Sequence, residues 1–226
     1  MSLPKTIWIS RTQPGALETA KRVEAAGYKA VIAPLLEICV PNDMPDLPTK
    51  NSVLIFTSKN GVDAFCDFFP DRQFKVITVG TETAMHAREQ GFTSVKSAYG
   101  TADSVAGIVL KMVSKTIPVV HCAGRHVRGR IVETLIEAGY IARRDLYYLS
   151  RPVKALPDID LTTITDILIY SPLAAETLAR LNPDLSHCII ISISQNTDAA
   201  LQGVRAANRF IAQTPTENAV LACLSA

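Results

Sequence analysis

The residues in this chain with chemistry to offer are small, polar and gathered in short turns. Thr57-Ser58, Gly80-Thr81, Gly100-Thr101, Tyr170-Ser171, Ser194-Gln195 and Thr214-Pro215 each sit where an apolar run gives way to a helical pattern. Arg11 follows the first apolar run, Ile7-Trp8-Ile9, and Gly124-Arg125 follows the run that begins at Pro118. A strand that feeds a helix through such a turn leaves the helix's first N–H groups without internal partners, and the helix dipole makes that end positive. Small side chains there let a ligand reach the backbone. The chemistry expected of these turns is the binding of carboxylates or phosphates. Any one of these Ser or Thr residues, taken alone, is better explained as a helix cap. The case for a site rests on matching rims of such turns facing a gap between two domains, able to hold a ligand with several anionic groups.

Other chemistries lack their residues. Gly124 to Arg130 follows a strand and precedes a helix like a phosphate loop, but Arg130 stands where Lys is needed and Ile131 where Ser or Thr would hold magnesium. There is no Gly-x-Gly-x-x-Gly, no Gly-x-Ser-x-Gly elbow and no paired-carboxylate or zinc motif. Cys39, Cys66, Cys122, Cys188 and Cys223 form no Cys-x-x-Cys pair and lie in apolar runs, as buried, reduced thiols of a cytoplasmic protein would. His86, His121, His126 and His187 lack the spacing of a metal site. His121 ends an apparent strand and His126 starts an apparent helix, so both read as edge or cap residues, and no metal is expected.

Bulk properties narrow the field further. Apolar residues make up 48% of the 226 and charged residues 19%, enough to build one large core or two small ones and too apolar for disorder. The net charge of +2 carries no basic stripe, which argues against nucleic acid. The apolar runs are too short to span a membrane. The N-terminus lacks the layout of an export signal.

The elements that must position these turns alternate. Ile7 to Ile9, Val53 to Phe56 and Val76 to Val79 read as strands. Gly15 to Ala26, Gly61 to Phe69 and Glu82 to Gln90 read as helices, with a fourth helix capped by Thr101. Ala30 to Val40 reads as extended. The second half gives Pro118 to Cys122, Val127 to Ala138, Tyr140 to Tyr148, Ile167 to Tyr170, Leu173 to Leu181, Ile189 to Ile193, Asn196 to Val204 and Glu217 to Leu224.

The halves also match one another. Ala26-Gly27-Tyr28 lies over Ala138-Gly139-Tyr140 at an offset of 112. Phe56-Thr57-Ser58 lies over Ile169-Tyr170-Ser171 at 113, and both Gly80 to Thr83 over Ser194 to Thr197 and Thr101 to Val105 over Pro215 to Ala219 at 114. Four ordered matches within two residues of one register argue for an internal duplication. Strands alternating with helices, twice over, predict an α/β protein of two parallel-sheet domains. Two extended stretches that follow the Ala-Gly-Tyr helix ends, punctuated by Pro34, Pro41, Pro45, Pro48 and by Pro152, Pro157, read as connectors between domains.

These features together resemble the uroporphyrinogen-III synthase family. The residues that carry the resemblance are Ser10-Arg11, Phe-Thr-Ser-Lys-Asn-Gly-Val at 56 to 62, Val-Gly-Thr-Glu-Thr-Ala at 79 to 84 and Gly91-Phe92. They continue with Gly-x-x-x-Arg at 124 to 128, Tyr148 before Arg151-Pro152, Ser171-Pro172 and Pro215-Thr216. The resemblance implies two α/β domains joined by a two-stranded β connector that the chain crosses twice. One domain would be discontinuous, 1–33 with 153–226; the other would be 49–142; the connectors would be 34–48 and 143–152.

It also implies a reaction without a cofactor: linear hydroxymethylbilane is closed to uroporphyrinogen III, with inversion of ring D and loss of water. Tyr148 would be the catalytic acid. Arg11, Lys59, Arg125 and Arg128 would meet substrate carboxylates, and Thr57, Ser58, Gly80, Thr81, Thr83, Ser171, Gln195 and Thr197 would line the rims beside backbone N–H groups. A cytoplasmic monomer follows, in transient contact with the enzyme that makes hydroxymethylbilane. The competing reading is a non-enzymatic two-domain binding protein for a small polyanion.

Overall fold

A computed structural model describes residues 5–43, 45–127 and 129–225. The chain divides into two compact units, Met1–Glu37 with Arg151–Ala226 and Ile38–Ser150. The first half of the chain supplies β1 (Thr6–Ile9), α1 (Gly15–Ala25), β2 (Lys29–Ile32), β3 (Leu36–Cys39), β4 (Val53–Phe56), α2 (Lys59–Phe68), β5 (Lys75–Thr78), α3 (Thr81–Glu89), β6 (Ser94–Ser97) and α4 (Ala102–Met112). The second supplies β7 (Val119–Gly124), α5 (Ile131–Glu137), β8 (Ala142–Pro152), β9 (Asp166–Ile169), α6 (Pro172–Leu181), β10 (Leu185–Ser192), α7 (Gln195–Ala199), β11 (Ala206–Ile211) and α8 (Glu217–Ala222).

In unit 1 the strands stand in the order β11-β10-β9-β1-β2, all parallel. Alternation along a strand sends successive side chains to opposite faces. Ile7 and Ile9 therefore join one core, with Val23 of α1 and Val220 of α8, while Trp8 joins the other, with Leu178 of α6. The Trp8 indole N–H donates to the Ala33 carbonyl at 2.6 Å, so this large buried ring leaves no polar atom stranded.

In unit 2 the order is β3-β8-β7-β4-β5-β6, parallel from β8 to β6. Leu54 and Phe56 face an aromatic core of Phe65, Phe74 and Phe92; Val53 and Ile55 face Val105 and Val109 of α4. Burial on both faces explains why these strands are unbroken apolar runs.

The internal repeat survives in three dimensions. With the halves aligned, β6-β5-β4-β7-β8 corresponds strand for strand to β11-β10-β9-β1-β2. The registers agree as well: Val119 opposes Val53 as Ile7 opposes Asp166, and Lys75 opposes Ser94 as Ile189 opposes Asn208. The two Ala-Gly-Tyr helix ends share one geometry, with Gly27 at φ 85 and Gly139 at φ 83, values that favour glycine. Each unit therefore combines the opening β-α-β of one half with the remainder of the other.

Some elements differ from expectation. β6 and β11 are edge strands that the polar sequences Ser-Val-Lys-Ser and Ala-Ala-Asn-Arg-Phe-Ile conceal. Helix α5 begins at Ile131 rather than Val127, and α7 stops at Ala199 rather than Val204. The stretch Ala30 to Val40 is two strands, separated around Pro34. His126 lies in the turn before α5 and does not start the helix. His121 is not an edge residue: it lies inside β7 with 3% of its surface exposed.

Candidate functional site

In a parallel sheet the strand C-termini share one edge, and the crevice forms where the strand order reverses. In unit 2 the chain goes outward from β4 to β5 and β6, then returns to place β7 on the other side of β4, so that edge opens between β4 and β7. Thr57 and Ser58 follow β4 directly. Ser58 caps α2, accepting from the Gly61 N–H at 3.1 Å. Its Oγ also lies 2.9 Å from the Tyr148 hydroxyl. Thr57 Oγ1 lies 3.1 Å from His121 Nε2. Two hydrogen bonds thus span the reversal point, one reaching β7 and one reaching β8 beyond it.

Gly124 ends β7 where the Tyr148 ring passes over the backbone; a Cβ there would stand 2.7 Å from ring carbons Cε2 and Cζ. Burial pushes the Tyr148 phenol above its ordinary pKa of 10, while hydrogen bonds to Ser58 and the Gly124 backbone pull it down. It therefore stays protonated at neutral pH, with a hydroxyl that can give its hydrogen to Ser58 Oγ or accept the one Ser58 carries. Neighbouring Tyr147 points the opposite way, fully buried against Phe65 with ring centroids 5.6 Å apart. Of the two adjacent tyrosines, only Tyr148 reaches Ser58.

The rest of the unit 2 rim follows from helix starts. Gly80 caps α3 in extended conformation, and a Cβ there would meet nothing within 4 Å. Thr81 is exposed at the first helical position, whereas Thr83 is turned inward at 7% exposure. Lys59 Nζ pairs with Glu82 at 3.5 Å, tying the start of α2 to the start of α3. Arg125 is exposed just past β7. Arg128 lies outside the described residues.

In unit 1 the corresponding edge opens between β1 and β9. Ser10 Oγ donates to the Leu168 carbonyl at 2.6 Å across that pair. Arg11 does not stand open to solvent: its guanidinium lies 4.5 Å from the Tyr170 ring centroid and 2.9 Å from Glu217. Glu217 also accepts from Thr19 at 2.7 Å and from Tyr170 at 3.3 Å. Burial beside that carboxylate raises the Tyr170 phenol well above its ordinary value. Ser171 caps α6, accepting from the Ala174 N–H at 3.2 Å. Gln195 is exposed at the start of α7. Thr197 is fully buried and its hydroxyl lies 3.0 Å from Ser194 Oγ, within the cap of α7. A residue three positions past the cap turns back toward it.

Sequence reasoning missed two members of these rims. His121 is hidden inside an apolar run, and Glu217 becomes recognisable only through its contact with Arg11. Among the described residues no three His, Cys, Asp or Glu side chains gather in a way that could hold a metal ion. No described helix is long and apolar enough to cross a membrane.

Comparison with known proteins follows the same lines. The family model for uroporphyrinogen-III synthase HemD matches residues 18–222. A solved uroporphyrinogen-III synthetase from Helicobacter pylori 26695 superposes with a TM-score of 0.67 at 18% identity, covering 99% of each chain. A mutant uroporphyrinogen III synthase from the extremely thermophilic bacterium Thermus thermophilus gives a TM-score of 0.50 at 12% identity, covering 98% of this chain and 97% of that one. At such identities the structures speak for the fold; the family model speaks for descent.

Proposed function

The chain belongs to the uroporphyrinogen-III synthase family of tetrapyrrole synthesis, and from that premise we propose that it closes hydroxymethylbilane to uroporphyrinogen III as a hydro-lyase. Ring D is inverted and one water is lost. The observation that carries the residue assignment is the Tyr148–Ser58 pair, hydrogen-bonded at 2.9 Å at the reversal point of the unit 2 sheet.

Tyr148 gives its phenolic proton to the substrate's terminal hydroxyl, the C–O bond breaks, and water leaves. The adjacent pyrrole nitrogen supplies the electron pair, leaving an azafulvene cation. The already substituted α carbon of ring D attacks that centre to give a spiro pyrrolenine. Its old bond to the methylene shared with ring C then breaks, the ring C nitrogen supplying the electron pair, and the free α carbon of ring D attacks the second azafulvene so formed. The proton that carbon sheds restores the phenol. Every electron pair comes from the substrate, so the step consumes no oxidant or reductant. A phenol with raised pKa remains in its acid form at neutral pH, as a proton donor must.

In unit 2, backbone N–H groups at the starts of α2 and α3 meet substrate carboxylates, with Ser58, Gly80 and Thr81 flanking them and Thr57 beside them; the start of α6 in unit 1, flanked by Ser171, is a carboxylate site of the same kind, as is the start of α7 at Gln195. Lys59, Arg125 and Arg11 add charge. Arg11 reaches a substrate carboxylate by exchanging it for Glu217. Each unit covers its own sheet on both faces, which supports action as a monomer. Five free thiols fit a reducing, cytoplasmic setting. Free hydroxymethylbilane closes unaided to the type I isomer, so rapid transfer from the enzyme that makes it is expected.

The test is to supply hydroxymethylbilane and resolve the porphyrin isomers after oxidation. Type III product is expected; a mixture that stays type I in the presence of the chain would refute the reading.

A further inference from the structure

The duplicated halves provide an internal control on unit 2. In the matched registers His121 occupies the place held in unit 1 by Ile9, and Thr57 the place held by Tyr170. Ile9 is fully buried and apolar. The architecture therefore tolerates an aliphatic side chain at this strand position, and the fold alone does not call for an imidazole. Yet His121 is buried to 3% exposure, a setting that penalises any polar group without a partner. Its Nε2 finds one polar partner at the sheet edge, the Thr57 hydroxyl at 3.1 Å. Burial disfavours a charged ring first, then Arg144 opposite it on β8, while Glu133 of α5 favours one; the balance keeps the ring neutral, with its pKa lowered to about 4.

A neutral imidazole has one N–H and one bare nitrogen, so its tautomer decides the direction of the bond to Thr57. A carboxylate only accepts. For Thr57 to serve one, its hydroxyl hydrogen must point outward, and its oxygen must then accept from the histidine.

We propose that His121 is a positioning residue for substrate binding: its Nε2–H donates to Thr57 Oγ1 and turns the Thr57 hydroxyl hydrogen toward a substrate carboxylate. This rests on the functional reading above and adds to it a residue that never touches substrate. Thr57 makes the contact; His121 fixes its direction.

The test combines one spectroscopic and one kinetic measurement. Nitrogen-15 NMR of the intact chain identifies the His121 tautomer, with the proton expected on Nε2; a proton on Nδ1 overturns the proposal. His121→Ile, which installs the residue used at the matched position of unit 1, is expected to fold and to raise KM for hydroxymethylbilane roughly fivefold, the worth of one ordinary hydrogen bond, with kcat nearly kept. Thr57→Val should do the same, and the double variant no more than either alone. His121→Gln, whose amide N–H can take the place of Nε2–H, should recover most of the loss. An unchanged KM in His121→Ile, or fully additive single effects, overturns the proposal. A wild-type chain that forms only type I isomer sinks the functional reading and this inference together; an active wild type indifferent to His121→Ile sinks this inference alone.

Discussion

The Tyr148 hydroxyl lies 2.9 Å from Ser58 Oγ while the phenol ring crosses the backbone at Gly124. One side chain is thus gripped at its tip by the cap of α2 and at its face by the end of β7. Ser58 already accepts from the Gly61 N–H. Its hydroxyl can give its own hydrogen to the phenol oxygen or receive the phenol's, so it can follow a proton leaving Tyr148. Replacing Tyr148 with Phe keeps the ring and removes the proton. A fall in kcat on the order of a hundredfold is expected, with KM little changed, because positioned proton donors contribute at about that level. Turnover near the wild-type rate in Tyr148→Phe would remove the acid role.

Gly124→Ala separates the position of that phenol from its chemistry. The added methyl would come within 2.7 Å of the ring, far inside ordinary contact, and must push it off Ser58. The proton is still present, so any loss reports displacement. A kcat loss approaching that of Tyr148→Phe is expected, together with a lower melting temperature from overpacking worth about 1–3 kcal/mol. Wild-type kcat in Gly124→Ala would show that the ring need not rest on this backbone.

Much of this was legible in the sequence, and what escaped it did so for definable reasons. Ser58, Ser171 and Thr101 were readable because caps and apolar periodicity are local signals; Ser58 and Ser171 adopt nearly the same backbone angles, φ −153 with ψ 157 and ψ 152. The edge strands β6 and β11 escaped because an edge needs no continuous apolar run. The choice between Tyr147 and Tyr148 turns on which face of β8 each occupies, and that depends on pairing with β7. Glu217 looked like an ordinary first-turn acid. Its role as the internal partner of Arg11, some two hundred residues away in sequence, is a tertiary fact. His121 had the weakest signal of all, a single polar letter in a buried strand.

The helix caps themselves should tolerate truncation. Ser58→Ala and Ser171→Ala each lose one cap hydrogen bond, a destabilisation of about 1 kcal/mol, and Thr81→Ala loses an exposed hydroxyl. If backbone N–H groups carry the carboxylates, each variant should lose only a few-fold in kcat/KM. Complete inactivity in all three, with melting curves near wild type, would contradict backbone-dominated binding.

Gly80 offers a cleaner probe of the same idea. Its backbone is in the extended region, φ −135 and ψ 168, and a Cβ there meets nothing within 4 Å. A larger residue is therefore not strained, and it stiffens the unfolded chain, so Gly80→Leu should melt at the wild-type temperature or slightly above it. The same side chain would stand over the first N–H groups of α3. KM should rise at least tenfold if a substrate carboxylate sits there, and unchanged kinetics would exclude α3 from binding.

The acid limb of stability should belong largely to His121. Its pKa is lowered from 6.5 to about 4, first by burial, then by Arg144, with Glu133 opposing. The unfolded chain therefore takes up this proton first as pH falls. The stability tied to the neutral ring is whole above pH 6.5 and drains away as pH drops toward 4. At about 1.4 kcal/mol per pKa unit, up to about 3 kcal/mol is at stake across that window. Denaturant melts between pH 7 and 4 should show the decline in wild type and a shallower one in His121→Ile, whose side chain has nothing to protonate. Carboxylates that titrate in the same range are common to both proteins and cancel in the difference. Parallel pH profiles for the two would show that the imidazole is not the group that acid attacks.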